Sequence, residues 1–226
     1  MQEQNQHSIS IEKRNYDFFK QEASMEDSKK EREFKWQGDK ETSLFLDAFS
    51  GFLPVGERFF IKTVRQYQDQ IKDRKLQEDV KKFIFQEARH SSQHKKLNEH
   101  IKKRNPNIRF IDKFTNFMLF TIANKIYSKR CQLAVTVAIE HLTAEFGKII
   151  LQKPLPKNFN NAYGLVWYWH AIEEVEHKSV AFDVYQSVTP VHFWGYLLRF
   201  LTMFFTTILF FLPLILISAS KKLLSI

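Results

Sequence analysis

At 226 residues, 44% of them hydrophobic, the chain can fill one core and carry an appendage. Six Gly and six Pro without recurrence at turn spacing favour long helices over many short strands, and the single Cys131 excludes an internal disulfide. The formal charge of +9 is spread over scattered side chains (Lys81, Lys82, Lys95, Lys96, Lys102 to Arg104, Lys221, Lys222) with no reader module, so nucleic acid is not an expected partner.

Residues 1–40 are dense in Gln, Glu, Lys and Asp and have no apolar signal-peptide core. They read as a loose polar leader with a docking segment near Phe34 and Trp36. A helix is expected from about Ser43 to Tyr67, kinked or broken near Gly51 and Pro54, with the stripe Leu46, Phe49, Leu53, Glu57, Phe60 or Ile61, and Val64. A second runs from about Lys75 to Lys103 with the stripe Leu76, Val80, Phe83, Glu87, His90, His94, Leu97, Ile101, ended by Asn105-Pro106-Asn107. Residues 108–125 are apolar and suit a helical crossover. The third core helix, about Ile126 to Leu151, lines up Leu133, Val137, Glu140, Ala144, Gly147 and Leu151, with Cys131 read as a buried small side chain. Lys153-Pro154-Leu155-Pro156 reads as a stiff linker to a fourth helix, about Asn158 to Ser187, presenting Tyr163, Trp167, His170, Glu174, His177, Ala181 and Val184.

Beyond Thr189-Pro190, Phe200 to Ile217 is an uncharged run of 18 residues, interrupted by three Thr and Pro213 and followed by Lys221 and Lys222. That length meets the threshold for a bilayer span. Residues 190–226 are therefore expected to be a membrane-associated tail, with an oligomer-interface helix, as in a homodimer, as the alternative. The expected organisation is the leader 1–40, a helical bundle 41–189 and the tail 190–226, in a cytoplasmic protein attached to the membrane by that tail.

The order Glu57, then Glu87-x-x-His90, then Glu140, then Glu174-x-x-His177 is the ligand pattern of a ferritin-like four-helix bundle holding two metals. The expected class is therefore all-α, with extra N-terminal and crossover helices and a hydrophobic C-terminal helix. Positions i and i+3 share a helix face, so each Glu-x-x-His pair can address one ion. Carboxylate with imidazole suits iron, with manganese or zinc as alternatives. With 16 Glu and 8 His in the chain, chance placement gives roughly half of one such pair, so two pairs in helical stripes are informative. Unpaired, an ionised Glu in such a stripe would cost several kcal/mol. A surface ion pair of Glu57 with Arg58, or of Glu87 with Arg89, is the simpler alternative for those two.

His170, four residues before Glu174, is a candidate seventh ligand; the motif resembles that of aryl-amine N-oxygenases, whose di-iron site carries one extra imidazole. His94, His141 and Glu173 are candidates to hydrogen-bond a ligand instead of coordinating. The Trp167 to Trp169 cluster reads as core and as a wall of a substrate pocket.

Ser50-Gly51-Phe52-Leu53-Pro54-Val55-Gly56-Glu57-Arg58, Phe83-Ile84-Phe85-Gln86-Glu87 with His90 and His94, Glu140-His141-Leu142-Thr143-Ala144, and Trp169-His170-Ala171-Ile172-Glu173-Glu174-Val175-Glu176-His177 are similar to four blocks of the bacterial family labelled predicted metal-dependent hydrolases. The resemblance runs from about Trp36 to the end of the chain and implies a metal-dependent activity. No nucleophile-bearing motif accompanies the word hydrolase. The residues themselves lead to an O2-dependent di-iron oxidase or oxygenase acting on an apolar, amine or lipid-like small molecule. A two-metal hydrolase is the alternative, and a membrane-anchored iron-handling protein the third reading.

Overall fold

The computed structural model describes residues 10–19, 40–103, 105–152, 162–189 and 193–223, and every regular element among them is helical. In chain order these are α1 (Lys40–Arg65), α2 (Arg74–Lys102), α3 (Ile108–Asn116), a π-helical segment (Phe117–Ile122), α4 (Ala123–Ile126), α5 (Lys129–Gln152), α6 (Ala162–His177), α7 (Val180–Val188) and α8 (Phe193–Leu223). A 3-10 turn, Gln68–Gln70, joins α1 to α2. The protein is all-α.

Helix α2 begins where Asp73 accepts hydrogen bonds from the backbone of Lys75 (2.7 Å) and Leu76 (3.3 Å), satisfying two otherwise orphaned donors. Its buried face repeats every three or four residues from Val80 to Ile101 and includes Gln86, Glu87, His90, Gln93, His94 and Asn98. The same pattern puts Glu57, Glu140, Glu173, Glu174 and His177 inside. These polar side chains separate two apolar clusters. Phe59, Phe60, Val64, Phe83, Leu133 and Val184 belong to one. Leu46, Phe49, Leu97, Ile101, Ile111 and Trp167 belong to the other.

Of the kink or break expected in α1, the break does not occur: the helix runs continuously through Gly51 and Pro54. Proline lacks the N–H that would bond Ser50 O. The Asn98 side-chain amide donates to that carbonyl instead (2.9 Å), while Ser91 Oγ donates to Pro54 O (2.9 Å). Gly51 is required by packing, since a Cβ there would stand 3.0 Å from Ile111 on the crossover helix α3. Gly147 plays the same part between α5 and α6, where a Cβ would meet Ala171 O at 3.0 Å.

Helix α5 starts at Lys129, later than the apolar pattern suggests, because Ser128 Oγ accepts the Cys131 N–H (3.2 Å) and fixes the first turn there. Cys131 is half-buried, not fully buried. The expected fourth helix is two helices, interrupted at Lys178 and Ser179 just after His177. Part of the leader is docked: Ile11 and Phe19 are buried, and Arg14 reaches α6. Phe34, Trp36 and the Lys153 to Pro156 linker lie outside the described residues.

The tail helix α8 packs on α5 and α1. Its Phe193–Phe210 stretch is long and apolar enough to cross a membrane, and only 11% of it is buried. Thr202 and Thr207 donate their hydroxyls back to helix carbonyls at Leu198 (2.8 Å) and Met203 (2.7 Å), so neither needs water.

Candidate metal centre

Four helices each bring donors to one buried volume: Glu57 from α1, Glu87 and His90 from α2, Glu140 from α5, and His170, Glu174 and His177 from α6. None of the seven is more than 4% exposed. Three overlapping groups can each supply ligand atoms within 4.8 Å of one another: Glu57, His90 and His170; Glu87, His90 and Glu174; Glu87, Glu140 and His177. His177 Nε2 lies 3.0 Å from Glu87, 3.4 Å from Glu140 and 3.7 Å from Glu174. His170 Nε2 lies 3.0 Å from Glu174, and His90 Nδ1 lies 3.5 Å from both Glu87 and Glu174. Arg58 points outward, so Glu57 has no surface ion pair with it.

Both carboxylate oxygens of Glu57, Glu87 and Glu140, together with Glu174 Oε2, His90 Nδ1 and His177 Nε2, are buried with no hydrogen-bond partner among the described residues. Leaving one such atom unmet costs about 1–3 kcal/mol, so nine facing one another demand a common partner. Cations meet that demand, because every one of these atoms is a lone-pair donor once deprotonated.

The imidazoles are oriented for this from outside. His90 Nε2–H donates to Glu173 Oε2 (3.1 Å), and Glu173 is held by Trp169 Nε1 (2.8 Å) and Arg14 Nη1 (3.3 Å). His177 Nδ1–H donates to Gln86 Oε1 (2.8 Å), whose amide nitrogen is tied to Glu12 O (2.9 Å) and Glu176 (3.1 Å). Glu176 in turn takes a two-pronged bond from Arg14, at 2.8 and 2.6 Å.

The third orientation follows from Pro54. Because the Asn98 Nδ2 donates to Ser50 O, its Oδ1 must accept the one Ser50 hydroxyl proton (2.7 Å). Ser50 Oγ is then left to accept from His94 Nδ1–H (2.9 Å). His94 Nε2, unprotonated, accepts from His170 Nδ1–H (3.0 Å). His170 Nε2 therefore keeps its lone pair toward Glu174. In all three rings the outward nitrogen carries the proton and the inward one is free, an arrangement that metal-binding histidines require.

Without a cation, protons stand in for it. Burial and the neighbouring Glu87 raise Glu57 well above the carboxylate range, and the same two causes push Glu140 up to about 8. Burial opposes charge on His90, yet the hydrogen bond to Glu173 and the neighbouring carboxylate of Glu87 raise it to about 10. His177 is raised well above its ordinary value against the cost of burial, through Glu140, Glu174 and Glu87. Burial would raise Glu87 and Glu174, but their imidazole partners outweigh it and hold both low. Burial and the nearby rings keep His94 and His170 neutral, as the hydrogen-bond chain requires.

Of the residues expected to support ligands, Glu173 and His94 do touch them. His141 does not: it is exposed, one residue round α5 from Glu140 and on the solvent side. One step of about 100° turns a side chain from the core stripe to the surface. Arg14, Gln86, Ser50 and Asn98 were not anticipated. A polar residue recurring inside an apolar stripe, as Gln86 and Asn98 do, was the available signal for two of them.

A family model described as "Predicted metal-dependent hydrolase" matches residues 19–225. No curated protein and no solved structure matches the chain.

Proposed function

The chain belongs to the predicted metal-dependent hydrolase family, and from the site it carries we propose that it is an enzyme whose centre holds two divalent cations between α1, α2, α5 and α6. The observation that carries this reading is the set of nine orphaned, inward-facing donor atoms. Glu57, Glu87, His90, Glu140, His170, Glu174 and His177 would hold the ions. Bound there, the pair would supply Lewis acidity and bring the ionisation of a water molecule near neutral pH, the chemistry of a two-metal hydrolase.

The protein's own groups have distinct roles. Glu173, Gln86 and His94 hold the three rings at their outward nitrogens. Glu57 has the least restrained carboxylate, its nearest imidazole atom being His170 Nδ1 at 3.9 Å. That leaves its carboxylate the freest of the four to turn toward an ion. The apolar clusters on either side of the centre exclude bulk water, which strengthens each electrostatic contact inside.

A second reading is O2-dependent oxidation with iron. It is favoured by the donor set itself, four carboxylates against three imidazoles, which suits iron or manganese better than zinc. One experiment separates the two. The purified protein is loaded with Zn, Mn or Fe(II), its metal content is counted, and it is assayed for ester, amide and phosphoester cleavage and for O2 uptake. Metal-dependent cleavage without O2 uptake supports the hydrolase. O2 uptake with Fe(II) alone, and no cleavage, supports the oxidase. Full metal occupancy in Glu174→Ala overturns the assignment of the centre.

A further inference from the structure

A second feature of the molecule lies outside the donor set. Between α1, α3, the π-helical segment, α5 and α8 is a cavity of about 360 Å³ with no charged residue in its lining among the described residues, a volume in the range of small-molecule sites. Its floor includes Gly56 and Phe60 of α1 and Val135 and Ile139 of α5. Gly56 precedes Glu57, and Ile139 precedes Glu140, so the floor adjoins two helices that carry the centre.

Gly56 is unlike Gly51 and Gly147. A Cβ there would meet only Phe60 Cζ, at an ordinary 3.6 Å, and its backbone is not in the left-handed region. Neither packing nor conformation calls for glycine, and mid-helix glycine costs roughly 1 kcal/mol relative to alanine. What it does provide is room in the cavity.

The mouth is apolar and faces outward. Phe114, Leu201, Phe205 and Leu209 line the cavity and are also 37%, 41%, 56% and 55% exposed. They continue into the exposed Phe110 and Phe117 on one side and Phe204 and Ile208 on the other. Residues 108–130 around this surface carry five basic side chains (Arg109, Lys113, Lys125, Lys129, Arg130) against the single acidic Asp112. Exposed aromatic side chains beside a basic fringe fit an anionic bilayer surface. A two-fold contact with a second copy would instead set those cations against one another.

We propose that an acyl chain of a bilayer lipid enters this cavity between α3 and α8. A lipid would thereby be the substrate class of the centre, a consequence that rests on the catalytic reading above. Binding of the chain itself does not.

The test uses the full chain in nanodiscs of phosphatidylglycerol and phosphatidylcholine containing a phosphatidylglycerol with a diazirine at the acyl terminus. After irradiation, adducts are mapped by peptide mass spectrometry and metal per chain is counted. Adducts are expected on the floor, within 56–60 and 135–139. Gly56→Leu should lower floor labelling at least about ten-fold, since each methylene kept out forfeits roughly a four-fold factor in affinity, while labelling at Phe204 and metal content stay unchanged. Val135→Phe serves as the second cavity-filling variant should Gly56→Leu not fold. Labels confined to Phe204 and Ile208 overturn the proposal, as does floor labelling that neither variant reduces. Equal floor labelling by a free diazirine fatty acid without bilayer overturns the bilayer source. Glu174→Ala should lose metal and keep the floor adducts, so failure of the metal centre and failure of the lipid site are read separately.

Discussion

Each of the three inward-facing imidazoles is held by a different outside partner. Substituting His94 by Phe removes the acceptor that keeps the His170 proton on Nδ1. Replacing Gln86 with Ala does the same for His177. Each change should weaken metal binding about 10–100-fold, measured by competition against a chelator, with the helical circular dichroism retained. An unchanged affinity in His94→Phe would remove His170 from the ligand set.

Proton linkage follows from the same atoms. Glu57, Glu140, His90 and His177 all hold protons above their ordinary pKa in the cation-free site. A cation must displace those protons, so its apparent affinity should rise with pH through about 8 and on toward about 10. Proton release on metal addition, followed with an indicator in weak buffer, checks this. Uptake without proton release contradicts it.

At the level of elements, two close approaches position the donors. Gly147 lets α5 reach the backbone of α6 beside Glu174, whose Cβ is 3.5 Å from the place a Gly147 Cβ would occupy. Gly147→Ala should therefore cost about 1–3 kcal/mol and weaken metal binding together with stability, since α5 carries Glu140. Asn98→Leu tests the α1–α2 contact. It leaves Ser50 O without a donor and should destabilise by about 1–3 kcal/mol, read as a lower melting temperature. Restored stability in Asn98→Leu with Pro54→Ala, which returns an N–H to Ser50 O, would identify the proline as the reason for the asparagine.

For the molecule as a whole, the pH dependence of the metal-free protein's stability resides in the polar centre between its two apolar clusters. Groups whose folded pKa is raised stabilise the fold below their unfolded values and lose that contribution as pH rises through the folded ones. For Glu140 the window runs from the ordinary 4.5 to about 8, and for His90 from 6.5 to about 10. The depressed Glu87 and Glu174 act in the opposite sense below 4.5, and the depressed His94 and His170 below 6.5. Thermal melting of chelator-treated protein should thus fall between about pH 7 and 9, and metal should abolish the fall. Parallel curves with and without metal would show that the cluster is not where the ions bind.

Helical period and spacing along the chain are local properties, and from them alone the all-α class, the approximate core helices and the seven inward side chains can be read. Glu87 with His90, and Glu174 with His177, share a face because the helix fixes a turn per 3.6 residues. Contacts between residues far apart in the chain belong to the tertiary structure. It decided that Pro54 stays within an unbroken helix, because Asn98, on another helix, supplies the missing donor. Likewise Arg14, drawn from a segment whose composition suggests a loose leader, reaches Glu173 and Glu176. His141 faces water because a single helical step separates it from Glu140, a distinction that proximity in sequence hides. The direction of each imidazole proton was likewise set only on packing, when a carboxylate, an amide and a neighbouring ring came to stand behind the three histidines.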